Sequence, residues 1–256
     1  MTEASQHRVL IVNDDGIHAE GIKLLETLVR RFTEDVWVVA PDEEKSGASH
    51  SISMHVPVRA RKVDERHFAV KGTPTDCALL AIHELMPEKP TILLSGINRG
   101  ANLAEDVTYS GTAAAAMEGA LLGVPSVALS QVFTPRAKVP WETAEAFAPK
   151  ILETLLATEW QPGSFVNINF PDATPDQVTG VRVVAQGQRP PGSFLPDRRV
   201  DGRDVPYYWI KLRYTDGGFD PGTDLEAIRD KAVSVCPIQL NMTDHAFRQR
   251  LKPKFA

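Results

Sequence analysis

Two acidic residues directly follow the first apolar run of the chain. Val9 to Val12 is a continuous aliphatic segment, and Asn13, Asp14 and Asp15 come immediately after it. Two adjacent carboxylates repel each other unless a cation or a proton lies between them, and side-chain oxygens of this kind suit Mg²⁺ or Mn²⁺. No Cys or His pair at ligand spacing lies nearby, which argues against structural zinc. The alternative interpretation is that Asp15 caps the next helix while Asp14 is merely solvated.

A second candidate site is the start of a helix. Ser110, Gly111 and Thr112 precede the run of alanines from 113 to 116. The free backbone N–H groups and the dipole at a helix start attract phosphate, and glycine allows a ligand to approach closely. The alternative is an ordinary capped helix that packs through its small residues. Together, an acidic pair and an anion-binding helix start describe a site for a phosphate ester with its metal ion.

The elements that must position these residues follow from the hydrophobic pattern. The buried strands are predicted at 9–12, 36–40, 91–95 and 126–129, and the helices at 22–32, from the N-cap at 73, at 112–122 and at 144–155. Strands that alternate with helices predict a parallel sheet with helices on both faces and right-handed crossovers. Ligands bind beyond the carboxyl ends of such strands. Asp14, Asp15 and the predicted loop 96–109 all lie at that edge.

The pattern changes after about residue 164. Strands are predicted at 165–170, 181–185 and 233–240. The strict alternation from Tyr207 to Tyr214 predicts a half-exposed hairpin strand, which either folds on its own domain or pairs with a partner subunit. We therefore expect an α/β, Rossmann-like fold with a C-terminal antiparallel hairpin extension. Residues 1–164 would form the metal- and phosphate-binding core and 165–256 the remaining core strands and the extension, as one continuous domain.

Composition excludes several classes of function. The chain has 256 residues and a net charge of −5, and a mildly acidic protein lacks the basic face of a nucleic-acid scaffold. Glu118 and Pro125 interrupt the longest apolar stretch, so no membrane span is expected. Cys77 and Cys236 lie far apart in apolar runs, which favours reduced thiols and a cytoplasmic location.

The common nucleotide-site and hydrolase motifs are missing from the sequence. The turn after residue 12 has no Gly-rich dinucleotide pattern, and there is no Walker A loop. No Gly-x-Ser-x-Gly nucleophile elbow occurs either. A metal-activated water is therefore favoured over a covalent serine intermediate.

Five segments, in order, resemble the SurE family of metal-dependent 5′-nucleotidases. They are residues 12–17, 39–51, 72–77, 95–102 and 109–112. The resemblance is dense from residue 8 to about 131 and continues weakly to about 243. It implies hydrolysis of nucleoside monophosphates, with 3′-nucleotides and polyphosphate as further candidate substrates. It also implies a homodimer or homotetramer formed through exchanged tail segments.

The resemblance also implies roles for individual residues. One divalent ion, Mg²⁺ or Mn²⁺, would be held by Asp14, Asp15, Ser46 and Asn98. The phosphate would be cradled by Asn102, Ser110, Gly111 and Thr112. Asp14 would orient or deprotonate the attacking water, and His50 is the candidate acid for the leaving ribose oxygen. Lys45 departs from the family pattern, because many relatives have Arg there.

Two other classes of function compete with the phosphatase. A phospho-accepting receiver module also has an acidic pair after its first strand, but it needs an acceptor Asp after a middle strand and a Lys after a later one. Here the 91–95 strand leads into Gly-Ile-Asn. The other alternative is a nucleotide-binding regulator without turnover, since a pocket can bind a ligand without chemistry.

Overall fold

The computed structural model describes residues 7–134, 138–212 and 219–255. Its strands are β1 (Val9–Val12), β2 (Val36–Pro41), β3 (Arg59–Lys62), β4 (His67–Lys71), β5 (Ile92–Arg99), β6 (Ser126–Gln131), β7 (Ser164–Phe170), β8 (Val181–Val183), β9 (Phe194–Val200), β10 (Pro206–Leu212) and β11 (Val233–Gln239). Its α-helices are α1 (Glu20–Val29), α2 (Pro74–Leu80), α3 (Gly111–Leu121), α4 (Trp141–Leu156), α5 (Asp224–Arg229) and α6 (His245–Leu251).

Most strands belong to one sheet, in the order β3-β4-β2-β1-β5-β6-β7-β11-β8. The pairs from β4 across to β7 are parallel. The edges are mixed, since β3 and β11 each run antiparallel to their inner neighbours, and β8 is parallel to β11. The predicted parallel α/β sheet is confirmed, and its parallel centre aligns the carboxyl ends of β1, β5 and β6 at one edge.

Helices cover both faces of this sheet, as predicted. The apolar residues of α1 and α4 pack with Val9 and Ile11 on one face. Cys77 of α2 and Ala115 of α3 pack with Leu10 and Val12 on the other. Small side chains let α3 approach the sheet closely: a Cβ at Gly119 would lie 2.3 Å from Ser126 Oγ. Successive strand residues point to opposite faces, so the uninterrupted apolar runs follow from burial on both sides.

Several predicted boundaries were wrong, among them that of the strand predicted at 181–185, which ends at Val183, and one strand was missed. The strand predicted at 91–95 continues to Arg99, because it resumes pairing with β6 at Asn98 after an irregularity in register. Helix α1 ends at Val29 rather than at residue 32. Strand β9 lies in the Gly-, Pro- and Arg-rich segment for which no strand was predicted, and it is held by its antiparallel partner β10.

The C-terminal hairpin forms a separate two-stranded sheet of β9 and β10. The predicted antiparallel strand is confirmed as far as Leu212, while residues 213 and 214 lie outside the described residues. The predicted half-exposure was wrong, because residues 207–211 are all exposed and no other element of the described residues covers either face of the hairpin there. Tyr208, Trp209 and Ile210 are exposed on β10. Within the described ranges, none of the helices combines the length and the apolar character that crossing a bilayer requires.

Candidate metal and phosphate site

A tight turn at the end of β1 presents the acidic pair. Asn13 Nδ2 donates to Gly16 O at 2.8 Å, and Gly16 N donates to Asn13 Oδ1 at 3.2 Å. Gly16 adopts φ +97°, a conformation that favours glycine. The Asp14 side chain is buried, whereas Asp15 is partly exposed. Helix α1 has Ala19 at its N-cap without a side-chain cap, so the alternative role of Asp15 as its cap is wrong.

The acidic pair and the start of α3 meet directly. The Thr112 hydroxyl donates a hydrogen bond to Asp14 Oδ1. A Cβ added to Gly111 would lie 2.8 Å from Asp14 Cβ and 3.1 Å from Pro74 Cγ, closer than real Cβ atoms normally pack. Glycine is therefore required where the first turn of α3 passes Asp14. The two candidate sites of the sequence are therefore in direct contact in the structure.

Burial makes the charges of this pair costly. Burial, with a smaller contribution from the charge of Asp15, raises the pKa of Asp14 to about 6, although the hydrogen bonds from Thr112 act to lower it. Burial also raises the pKa of Asp15, although Arg99 N donates to its Oδ2 at 3.0 Å. A bound cation would favour the ionised form of both carboxylates.

The segment that carries Ser46 lies beside the acidic pair. Lys45 N donates to Asp14 O at 2.7 Å, which holds the backbone of this segment against the β1 turn. The Ser46 hydroxyl donates to Glu44 Oε1 at 2.7 Å, and its side chain is exposed. The Lys45 ammonium pairs with Glu43 at 2.6 Å. The backbone of the segment therefore contacts the site, while the Ser46 hydroxyl is turned to Glu44.

Asn98 lies at the carboxyl end of β5, one residue before the backbone N–H that binds Asp15. Its Nδ2 donates to Gly100 O at 3.1 Å, which leaves the amide oxygen as an acceptor. The exposed Arg99 guanidinium packs over the Phe133 ring, 5.1 Å from its centroid. The end of β5 thus contributes a candidate metal ligand, the neutral amide oxygen of Asn98, and a positive charge, the exposed guanidinium of Arg99.

The chemistry of these donors fits a hard divalent ion. An ionised carboxylate has about four lone-pair sites, so Asp14 and Asp15 keep acceptor capacity beyond their hydrogen bonds. The candidate neutral donors, the Ser46 hydroxyl and the Asn98 amide, are also oxygens, as Mg²⁺ and Mn²⁺ prefer. Among the described residues, no three His, Cys, Asp or Glu side chains converge in a way that could hold a metal. The negative charge of the site comes from the acidic pair, with Glu44 close enough to raise the pKa of Asp15.

Ser110 caps α3. Its Oγ accepts a hydrogen bond from Ala113 N at 2.9 Å. The alternative of an ordinary capped, tightly packed helix is therefore correct as a description of α3, and it coexists with the contact to Asp14. The cap uses a lone pair of Ser110, so the hydroxyl can still donate a hydrogen bond to an anion.

His50 lies alongside α3 rather than at its first turn. Its Nε2 is 2.9 Å from Oε2 of Glu118, a buried carboxylate of α3. At about 1.5 Å per residue, Glu118 is about 10 Å along the helix axis from Gly111. Ser49 anchors the same loop, since its Oγ donates to Thr108 O at 2.7 Å and its N to Tyr109 O at 3.1 Å. The loop that carries Ser46 and His50 is thus attached to the segment that leads into α3.

The start of α2 holds the far end of this loop. The predicted N-cap is confirmed, because Asp76 N donates to Thr73 Oγ1 and Thr73 N donates to Asp76 Oδ2. The same carboxylate accepts from Ser53 N at 3.0 Å and from Ser53 Oγ at 2.7 Å. Sequence analysis recognised the cap but missed this second function of Asp76.

Asn102 is buried where the chain leaves β5 for α3. Asn167 and Asn169 of β7 hydrogen-bond its backbone. Sequence analysis did not select either asparagine. Their signal was nevertheless present, since two amides in a strand that is otherwise apolar need buried partners.

Comparison with known proteins identifies the family of this chain. The family model described as "Survival protein SurE" matches residues 9–192. The chain belongs to the SurE family. It is 48% identical over 252 residues to the 5′-nucleotidase SurE of Mesorhizobium japonicum, covering 97% of this chain and 100% of that protein. It is 47% identical over 247 residues to the 5′-nucleotidase SurE of Brucella suis, with 95% and 96% coverage.

A solved SurE structure has the same fold. The crystal structure of the SurE protein from Aquifex aeolicus matches with a TM-score of 0.84 and 34% identity, over 97% of this chain and 99% of that chain. The predicted family and fold are confirmed. The receiver-module alternative has no support from these relatives.

Proposed function

We propose that this SurE-family chain is a metal-dependent 5′-nucleotidase that hydrolyses nucleoside monophosphates. The observation that carries the proposal is the contact between Thr112 and Asp14, with Gly111 packed against the same carboxylate. It joins a cation-binding acidic pair to an anion-binding helix start. Relatives at 47–48% identity are named 5′-nucleotidase SurE, which supports the same activity.

The metal ligands in this proposal are Asp14, Asp15, Ser46 and Asn98. A bound Mg²⁺ or Mn²⁺ would supply Lewis acidity toward a phosphoryl oxygen. The acidic pair supplies the charge that holds the ion. Ser46 would reach it by exchanging its hydrogen bond to Glu44 for a metal contact.

The phosphate ligands in this proposal are Asn102, Ser110, Gly111 and Thr112. The dipole at the start of α3 would stabilise the negative charge that develops on the phosphoryl group. The Thr112 N–H itself bonds Asp14, and the Ala113 N–H bonds Ser110 Oγ. Asp14 lies against this helix start, and there it would orient or deprotonate the attacking water. The same anion-binding geometry would accept 3′-nucleotides or the terminal group of polyphosphate.

His50 is the proposed acid for the leaving ribose oxygen, and Glu118 fixes the orientation of its ring. A general acid matters most for a poor leaving group. We expect His50→Gln to lower kcat for a nucleoside monophosphate by about 100-fold and to have little effect on p-nitrophenyl phosphate, whose leaving group needs no proton. Equal losses with both substrates would contradict this role.

The experiment that tests the function is phosphate release from a panel of nucleoside 5′- and 3′-monophosphates and polyphosphate, with Mg²⁺ and Mn²⁺ in turn. We expect turnover with metal and its loss on chelation. Tight nucleotide binding without turnover under every metal condition would favour the regulator instead.

We also propose a homodimer or homotetramer in a cytoplasmic location. The exposed apolar residues Trp209 and Ile210 of β10 and Phe247 of α6 support subunit contacts. Both cysteines are free and buried, which suits a reducing compartment. Light scattering of the full chain tests the assembly, and Trp209→Lys should shift it toward smaller species.

A further inference from the structure

Strand β7 carries two buried asparagines on one face. Asn167 and Asn169 are both fully buried, and their two-residue spacing directs them to the same side of the sheet. Phe165, on that side as well, packs with residues of α3. In register, Asn169 lies between Ser130 of β6 and Ser234 of β11. A row of polar side chains therefore crosses the sheet where the sequence pattern is otherwise apolar.

The row converges on one residue, Asn102. Asn102 N donates to Asn169 Oδ1 at 2.8 Å, and Asn169 Nδ2 donates back to Asn102 O at 3.0 Å. Asn167 Nδ2 donates to the same carbonyl at 2.7 Å. From β6, Ser130 Oγ accepts from Asn102 Nδ2 at 2.8 Å. Both backbone groups and the side chain of Asn102 are held by three side chains.

The two hydrogen bonds between the Asn169 side chain and the Asn102 backbone replace the strand pairing that Asn102 lacks. Strand β5 ends at Arg99, so the backbone of Asn102 lies beyond the strand ladder, where it is buried and needs partners. The amide of Asn169 matches one donor and one acceptor of that backbone, which also fixes the orientation of the amide. Buried amides are costly without such partners. The arrangement therefore stabilises one loop geometry.

We propose that Asn169 is a positioning residue, which fixes Asn102 in the geometry that receives the phosphate. The proposal rests on the phosphate-binding role of Asn102 in the proposed function. Asn167 hydrogen-bonds the backbone carbonyl of Asn102, and Ser130 orients the side-chain amide of Asn102. None of the three needs to touch the substrate.

The experiment compares Asn169→Ala with Ser234→Ala in the full chain. Ser234 lies in the same row and is fully buried, but its hydroxyl has no hydrogen-bond partner among the described residues. We expect Asn169→Ala to weaken the binding of inorganic phosphate, measured by calorimetry, by about tenfold and to raise KM for a nucleoside monophosphate similarly. Ser234→Ala should stay within about twofold of wild type.

A double-mutant cycle separates positioning from a general loss of structure. If Asn169 acts through Asn102, Asn102→Ala with Asn169→Ala should bind phosphate no more weakly than Asn102→Ala alone. Additive losses, or wild-type phosphate binding in a folded Asn169→Ala, would overturn the inference. If that variant does not fold, Ser130→Ala provides the second test, and unchanged phosphate binding there would count equally against it. Phosphate binding without turnover in the wild-type protein would refute the proposed function and leave this inference standing.

Discussion

At the residue scale, the decisive feature is how closely α3 approaches the acidic pair. Gly111 has no side chain to separate the helix from Asp14, and Thr112 bonds the same carboxylate. The motif around residue 111 therefore has a steric explanation as well as a chemical one. In the proposed site, its glycine would allow the cation and anion ligands to lie close together.

Gly111→Ala should lower kcat/KM by about 100-fold, because a displacement of about 1 Å at a reacting centre has effects of this size. The added Cβ would lie 2.8 Å from Asp14 Cβ, so the carboxylate or the helix must shift. Steady-state kinetics with a nucleoside monophosphate measures the loss. Gly202→Ala is the matched control, because the space around Gly202 is open. Wild-type kinetics in Gly111→Ala would show that the contact is not needed.

Asp14→Asn and Asp15→Asn should each abolish most turnover and weaken Mn²⁺ binding. Each substitution keeps the shape of the side chain and removes one of the two charges that would hold the ion. Calorimetry with Mn²⁺ and phosphate-release assays measure the two effects. Full turnover in either variant would be incompatible with the proposed metal site.

At the scale of elements, the start of α2 organises a loop as well as a helix. The capping box of Thr73 and Asp76 satisfies the first backbone N–H groups of α2, and Ser53 hydrogen-bonds the same carboxylate. Burial alone would raise the pKa of Asp76, but the hydrogen bonds from Ser53 and Thr73 outweigh it and lower the pKa. One side chain thus stabilises both the helix and the loop that carries His50.

Asp76→Asn should reduce the free energy of unfolding by about 1–2 kcal/mol at pH 7, the size of a lost cap and its hydrogen bonds. Because the folded-state pKa is lowered, the ionised carboxylate stabilises the fold above its unfolded pKa of about 4. That contribution is lost as the pH falls through the folded-state pKa. Urea unfolding at both pH values should therefore show that Asp76→Asn and wild type differ less in free energy of unfolding at pH 3 than at pH 7. Asp220→Asn is the control, because Asp220 is exposed. An equal loss of stability in Asp76→Asn at both pH values would contradict the charge-based explanation.

At the scale of the whole molecule, the C-terminal part of the chain holds the loop that enters α3. The Arg189 guanidinium is buried and donates to Leu103 O at 3.0 Å and to Asp106 at 2.7 and 3.0 Å. Asp224 accepts from Ala104 N at 2.9 Å. Residues after 164 thus contact the segment between Asn102 and Ser110. We propose on this basis that residues 1–256 form one continuous domain.

Arg189→Met should destabilise the protein by about 3–5 kcal/mol, because it leaves Asp106 buried without its partner. Burial already raises the pKa of Asp106, and Arg189 opposes that shift. Thermal unfolding should keep a single transition at lower Tm, since the two parts share this contact. Arg189→Met with Asp106→Leu should recover part of the loss. Two separate transitions in the wild-type protein would contradict the single domain.

The sequence alone determined most elements of the central sheet and the edge at which the proposed site lies. Strands β1, β2 and β6 and helix α3 follow from short-range periodicity, and the acidic pair and the start of α3 follow from the rule that ligands lie beyond the carboxyl ends of strands. These features depend on residues close together in the chain. The SurE-like motifs then connected them to a reaction.

Tertiary structure alone decided which distant groups meet. The pairing of His50 with Glu118, the contacts of Asn169 with Asn102 and the antiparallel pairing that forms β9 each join residues or strands brought together by packing. The local sequence pattern cannot specify such partners. A buried amide or carboxylate in the sequence indicates only that a hydrogen-bond partner is needed, and does not identify that partner. The packing of α3 and β7 determines which group supplies it.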